Sequence, residues 1–297
     1  MGRGPGELQE LDGFTTVGDT LVTVDGRLAV HVFAPNGDWL RSVILPPVPG
    51  YIVNPVIGAL SASTVVQHLT AGQIDSTGGG AVRLDSIWLG RLSLRDTTVR
   101  VIAAQSRPPA YSARPGLRPT ATFVFGPMYM ASVRDGWLCL GYSVTYTIAC
   151  VDSTGRPLIE IRRDIASRPV TESAKRAWRD LARTSSQRPR RGFLTRPVTE
   201  AGLASARFAE TFPAFAQMLL SRTGELWIRQ HPTDGTSRTS VTIRPSDWSI
   251  YDRQGRWIAD CRLPARFALM DAGADFVIGV SRDEDDVERV TLLSLKR

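Results

Sequence analysis

A turn that returns at three places constrains this chain more than any other feature. VFAPNGDWL at 32–40, CVDSTGRPL at 150–158 and IYDRQGRWI at 250–258 align with Gly37, Gly155 and Gly255 in register. Each joins two runs of alternating apolar residues, where closing the hairpin calls for a positive φ that glycine adopts without cost. A chain that repeats this hairpin is building one kind of sheet several times over. Such a sheet has two distinct faces: Trp257, Ala259, Cys261 and Leu263 share one, and Ile258, Asp260 and Arg262 the other. Each sheet is half buried on both sides and needs neighbours stacked on it, which repetition supplies.

Strand and turn signals divide the chain into five units of this kind, at residues 11–46, 55–105, 129–164, 210–264 and 266–297, the last incomplete. The expected fold is all-β, a single β-propeller domain over residues 1–297 built of four-stranded antiparallel blades. A β-sandwich is the competing answer, but it does not explain self-similarity at blade length. Residues 166–209 break the pattern. Ala174, Ala177, Trp178 and Leu181 recur at helical spacing behind Thr171, an N-cap residue, and Arg-Pro-Val-Thr-Glu returns at 196–200 ahead of AGLASARFA. Two amphipathic helices are expected there, joined by the polar tract 184–191.

The long insertions are Thr70–Ser86, Gln105–Pro119, the helical excursion, His231–Ser246 and the acidic turn at 282–286. All join a second strand to a third, or one unit to the next, and in a propeller both kinds of connection emerge on one face. The short hairpins belong to the other. Functional loops on a rigid scaffold are the elaborated ones, so a binding surface is expected on the long-loop side.

The candidate contact residues there are Arg188, Arg190 and Arg191 between the helices, His231 and Asp234 at the root of a loop, and Asp283, Asp285 and Asp286 in the acidic turn. The bland alternatives are a solvated linker and a solvated hairpin tip. The formal charge of +7 comes almost wholly from arginine. It favours acidic partners, with protein expected and nucleic acid not. The three histidines show no metal-ligand spacing, so no metal or cofactor is expected. No G-x-S-x-G element and no evident histidine partner for a serine are present, which argues against an enzyme. Cys139 and Cys150 lie symmetrically about a hairpin centred on Val144 and Thr145, where facing positions allow a disulfide; two buried thiols are the alternative. No apolar run has membrane-spanning length, and MGRGPGELQELDG has no apolar signal core.

GRGPGELQELDGF followed by FAPNGDWLRSVILP, with ASRPVTESAKRAWRDL, ETFPAFAQMLLSRTGELWIRQH and the ending DFVIGVSRDEDDVERVTLLSLKR, resembles the NHL-like, six-bladed propellers of bacteria. In that family the GPGEF-like turn follows an earlier blade and usually an export signal. The resemblance therefore implies a propeller short of its N-terminal blade, an extracytoplasmic setting, and a first and fifth unit that another subunit can cover. The functional expectation is a non-catalytic scaffold that binds a protein or other macromolecule through its long-loop face. The alternative is a small-molecule or sugar binder, or a hydrolase-like enzyme, using the mouth of the central channel.

Overall fold

A computed structural model of the chain describes residues 11–25, 29–48, 51–71, 73–74, 82–111, 123–186, 199–235, 244–285 and 287–296. The first sheet is a meander of β1 (Leu11–Val17), β2 (Thr20–Asp25), β3 (Ala29–Phe33) and β4 (Trp39–Ile44). The second contains β5 (Tyr51–Ser61), β6 (Thr64–Ala71), β7 (Gln73–Ile74), β8 (Val82–Ser93) and β9 (Val99–Tyr111). The third runs β10 (Tyr129–Arg134), β11 (Trp137–Tyr142), β12 (Tyr146–Asp152) and β13 (Pro157–Arg163). Two helices follow, α1 (Glu172–Ser186) and α2 (Glu200–Ala204). The fourth sheet is β14 (Phe215–Leu220), β15 (Leu226–Gln230), β16 (Ser246–Tyr251) and β17 (Trp257–Leu263). The fifth has three strands, β18 (Phe267–Ala272), β19 (Phe276–Arg282) and β20 (Glu288–Ser294). All neighbours are antiparallel. The fold is an all-β propeller of these five blades, the last with three strands; five is the number of units read from the sequence, one fewer than the six blades of the family it resembles.

The described residues fall into two compact units. One covers 1–121, 129–142 and 148–161; the other covers 122–128, 143–147 and 162–297. In the first unit the alternation of β6 shows why a sheet of this kind needs two neighbours. Val65 packs with Val22, Val24, Val30 and Val32 of the first sheet. The adjacent Val66 packs with Val133, Leu138 and Leu140 of the third. In the second unit Trp227, Trp248 and Ile250 meet Phe267, Leu269 and Val277 across the fourth and fifth sheets. Burying a side chain of this size contributes about 1.5–3 kcal/mol, and each interface repeats that several times.

Two of the recurring turns share one construction. The amide of Gly155 donates to the Asp152 carbonyl at 3.0 Å and that of Gly255 to the Asp252 carbonyl at 3.0 Å. The side-chain oxygen of each aspartate accepts two further amides, from Thr154 and Arg156 in one case and from Gln254 and Arg256 in the other. Gly37, Gly155 and Gly255 all have positive φ, as their alignment implies.

Two of the expected loops are strand wherever they are described; the glycines at 78–80 and residues 112–119 lie outside the described residues. The insertion at 70–86 holds β7 and the start of β8, paired through Gln73 with Arg83 and Ile74 with Val82. The connection beginning at Gln105 continues β9 to Tyr111, with Tyr111 opposite Arg83. Between the pairs Ser86–Ser106 and Leu84–Ala110 the ladder shifts, and the displaced segment contains Pro108 and Pro109. Neither proline has an N–H to donate, so a bulge on a strand edge is where they fit. The sequence pattern shows glycines and polar residues here and hides the extended pairing, which depends on a partner strand many residues away. The second helix also departs from expectation: α2 is only five residues long.

Candidate binding surface

In the second compact unit three separate connections lock onto one another: residues 123–128 ahead of β10, the helical excursion between β13 and β14, and the start of the β15–β16 loop. Thr171 caps α1, its hydroxyl accepting from Ala174 N at 3.2 Å, and Thr199 caps α2 by accepting from Gly202 N at 3.1 Å. The buried stripe of α1, Ala174, Trp178 and Ala182, packs with Leu203, Phe125 and Phe212. The chain running back to β14 pairs in short pieces with what it passes. Val124 N donates to Arg207 O at 2.7 Å and Ala209 N to Val124 O at 3.0 Å. Val170 N donates to Glu210 O at 2.9 Å, and Phe212 N to Arg168 O at 2.8 Å.

His231 closes the cluster. Its ring lies 5.5 Å from that of Phe212 and 6.2 Å, edge-on, from that of Phe125. Nδ1 sits 2.7 Å from the Pro232 carbonyl and therefore carries the proton. The guanidinium of Arg168 donates to the carbonyls of His231 and Pro213. Burial, reinforced by the charges of Arg168 and Arg229, holds the imidazole neutral down to about pH 4. Gly235 then brings the loop against α1: a Cβ there would lie 2.3 Å from the Ala174 carbonyl oxygen.

The outer side of this platform carries cations stacked on aromatic rings. Arg207 lies 4.9 Å from the centre of Phe123, which is 44% exposed. Arg179 and Lys175 lie 5.0 and 5.8 Å from the centre of Phe208. A guanidinium over a ring still has N–H donors for an anion, whereas the Lys175 ammonium is already paired with Glu172 at 2.6 Å.

The structure redistributes the residues picked from sequence. Arg188, Arg190 and Arg191 lie outside the described residues, as does Asp286. Arg183, five residues before Arg188, is neutralised by Glu200 at 2.8 and 3.0 Å and by Asp180 at 2.9 Å. His231 is buried rather than presented to solvent, because Phe125 and Phe212 cover it. Asp234 pairs with Arg244 at 2.9 Å. Asp283 closes its own hairpin, accepting from the amides of Asp285 and Val287, so its carboxyl sits below the usual range mainly through the Val287 amide. Asp285 is exposed. Cys139 and Cys150 are directly paired across β11 and β12, their Cα atoms 4.0 Å apart, and are joined in a disulfide. Among the described residues no group of three or more His, Cys, Asp and Glu is placed to hold a metal ion.

Phe123, Phe208, Arg179 and Arg207 are absent from the sequence-based set. Nothing in their spacing brings Phe123 to Arg207; the parallel bridge between Val124 and Phe208 does.

No family model matches the chain, and no curated protein sequence does. Solved structures do. A member of the DUF4221 family from Bacteroides vulgatus is 8% identical with a TM-score of 0.50, covering 98% of this chain and 81% of that one. BamB from Moraxella catarrhalis is 12% identical, with a TM-score of 0.32 over 95% of this chain and 71% of that one. The β-propeller domain of the Trilobed protease from Pyrococcus furiosus is 8% identical, with a TM-score of 0.38 over 96% of this chain and 68% of that one. At 8% identity and a TM-score of 0.50, the likeness to the first of these is one of fold. No helix among the described residues is long and apolar enough to cross a membrane.

Proposed function

We propose that this chain is a propeller scaffold that binds an acidic protein through the platform around α1. One observation carries the reading: three connections that have no need to meet are packed into a single apolar cluster about Phe125, and that cluster fixes cation–aromatic pairs at its surface. Loops that merely tolerate insertion do not share a core. A preorganised surface of this kind loses little side-chain entropy when a partner arrives. The exposed ring of Phe123 beneath Arg207 has the makeup of an interface anchor, apolar area with a charged fork above it.

Kinship with the six-bladed, NHL-like propellers belongs to this reading and rests on the sequence motifs quoted above. An extracytoplasmic setting is part of it too, supported by the Cys139–Cys150 disulfide, a bond that persists in oxidising compartments.

The test is photo-crosslinking from position 123 in the native host. The expected capture is a polypeptide with an acidic contact segment, lost in the double variant Arg179→Glu, Arg207→Glu and kept in Arg256→Glu, whose charge lies in the β16–β17 turn. A crosslink that survives reversal of both platform arginines refutes the charge-based reading.

A further inference from the structure

The first sheet carries a constellation of another kind. Phe14, Thr23, His31 and Ser42 are directly opposed on β1, β2, β3 and β4 and so form one row across a single face. The next row is Asp25, Ala29 and Ile44. Within these rows Ser42 Oγ lies 2.7 Å from His31 Nδ1. On the far side of the ring, His31 Nε2 lies 3.5 Å from Asp25 Oδ2, an ionic contact. The other oxygen of Asp25 accepts from the Ala29 amide at 3.4 Å, which holds the carboxylate in place. Ser42 is exposed, whereas His31 and Asp25 are 7% and 4% exposed.

The order is serine, imidazole, carboxylate, from solvent inward. His31 Nε2 is buried and makes no hydrogen bond, so a proton on it is best placed facing the Asp25 carboxylate. That tautomer leaves Nδ1 as an acceptor for the Ser42 hydroxyl. The indole N–H of Trp39 donates to the same Oγ at 3.0 Å, so the hydroxyl's own hydrogen is free to point at His31. Around it the face is apolar and open: Phe14 is 59%, Trp39 41% and Ile44 78% exposed.

We propose that Ser42 is a nucleophile activated by His31 as general base, with Asp25 as the positioning residue, and that it accepts acyl groups from carboxylic esters with an apolar acyl chain. Oγ bonds to the ester carbonyl carbon as its proton passes to Nδ1 of His31. Collapse of the adduct breaks the carbon–oxygen bond to the alcohol, which leaves with that proton. Water, deprotonated by the same nitrogen, then releases the carboxylic acid and restores Ser42. Trp39 Nε1 donates to the nucleophilic oxygen and fixes where its own hydrogen points. The arrangement replaces the expectation that no serine here has a histidine partner: His31 and Ser42 are eleven residues apart, and only the register of β3 on β4 joins them. It lies outside the helical platform, so its failure leaves the binding reading intact.

The test begins with the unaltered full chain, treated with a fluorophosphonate probe and, separately, with p-nitrophenyl butyrate. Peptide mass spectrometry is expected to place the adduct on Ser42, and Ser42→Ala to abolish both labelling and ester turnover with the melting temperature unchanged. His31→Asn should slow labelling by about 100-fold or more. Asp25→Asn should lower kcat for the ester while KM holds. Absence of an adduct on Ser42 in the unaltered chain overturns the proposal, as does labelling at an undiminished rate in folded His31→Asn; the row is then a cross-strand polar tie.

Discussion

Alanine at Gly37 and alanine at Gly155 separate two costs that are usually confounded. The glycines occupy equivalent places in the repeated turn, with φ of 88° and 91°. Each donates its amide to the carbonyl three residues back, at 2.9 and 3.0 Å. Both belong to the first compact unit, so the same unfolding transition reports on them. Forcing a side chain into left-handed backbone costs about 1–2 kcal/mol, equal at the two sites. The surroundings differ. A Cβ on residue 37 meets nothing within 4 Å, whereas one on residue 155 lies 2.5 Å from the carbonyl oxygen of Ile102 and 3.3 Å from its carbon. Ile102 sits in β9 where the ladder with β8 shifts register, and its obstructing atoms are backbone, which cannot rotate aside as a side chain can. Overpacking of this kind adds about 1–3 kcal/mol. Gly37→Ala should therefore cost about 1–2 kcal/mol and Gly155→Ala about 2–5 kcal/mol. At about 2–4 °C per kcal/mol the two melting temperatures separate clearly in calorimetry or urea titration. Equal losses, or a milder loss at Gly155, would show that β9 does not press on the turn as described.

Stability of the second unit should fall as pH drops. The folded pKa of His231, about 4, lies below its ordinary value near 6.5, so the unfolded chain binds the extra proton first. The loss begins near pH 6.5 and levels off below about 4, and a ring titration near 6.5 followed by NMR would contradict the buried placement. Trp178→Ala should destabilise the α1 cluster by about 3–5 kcal/mol, read as lost hydrogen-exchange protection over 172–186; unchanged protection would mean the helix does not depend on this core. Thr171→Ala, removing the cap of α1, should cost about 1 kcal/mol in the same assay. The double variant Cys139→Ala, Cys150→Ala releases a closed loop spanning 11 residues and should lose about 2–3 kcal/mol in urea, while reductant should leave its midpoint unmoved.

The repeated hairpins were legible because a turn and the two strands beside it are local. Gly37, Gly155 and Gly255 mark their turns wherever the chain goes, and alternation along β17 announces two buried faces without reference to any neighbour. Thr171 and the stripe through Trp178 likewise marked α1. The pairing of Cys139 with Cys150 was visible as a possibility because both lie within one hairpin, whose symmetry puts them opposite each other. Glycine and proline point to loops at 70–86 and beyond Gln105, where the described residues are strand, β8 pairing with β9 from Arg83 opposite Tyr111 to Leu92 opposite Val99. A strand edge can hold prolines in a bulge, and composition does not say when it does.

The candidate surface was legible least. Charge runs pointed to Arg188, Arg190, Arg191 and the acidic turn, yet Arg183 is neutralised by Glu200 and Asp283 spends its carboxylate on its own hairpin. His231, a polar residue at a loop root, is buried against Phe125 and Phe212. The pairs that matter, Arg207 with Phe123 and Ser42 with His31, depend on which strand lies beside which and in what register. Local backbone preference and hydrophobic period are written residue by residue, so the sequence by itself determined the kind of sheet, its turns and its number of repeats. A charge or a hydroxyl acquires its chemistry from what faces it across a strand or a packed loop. Those neighbours are set by long-range pairing, which the tertiary structure decided.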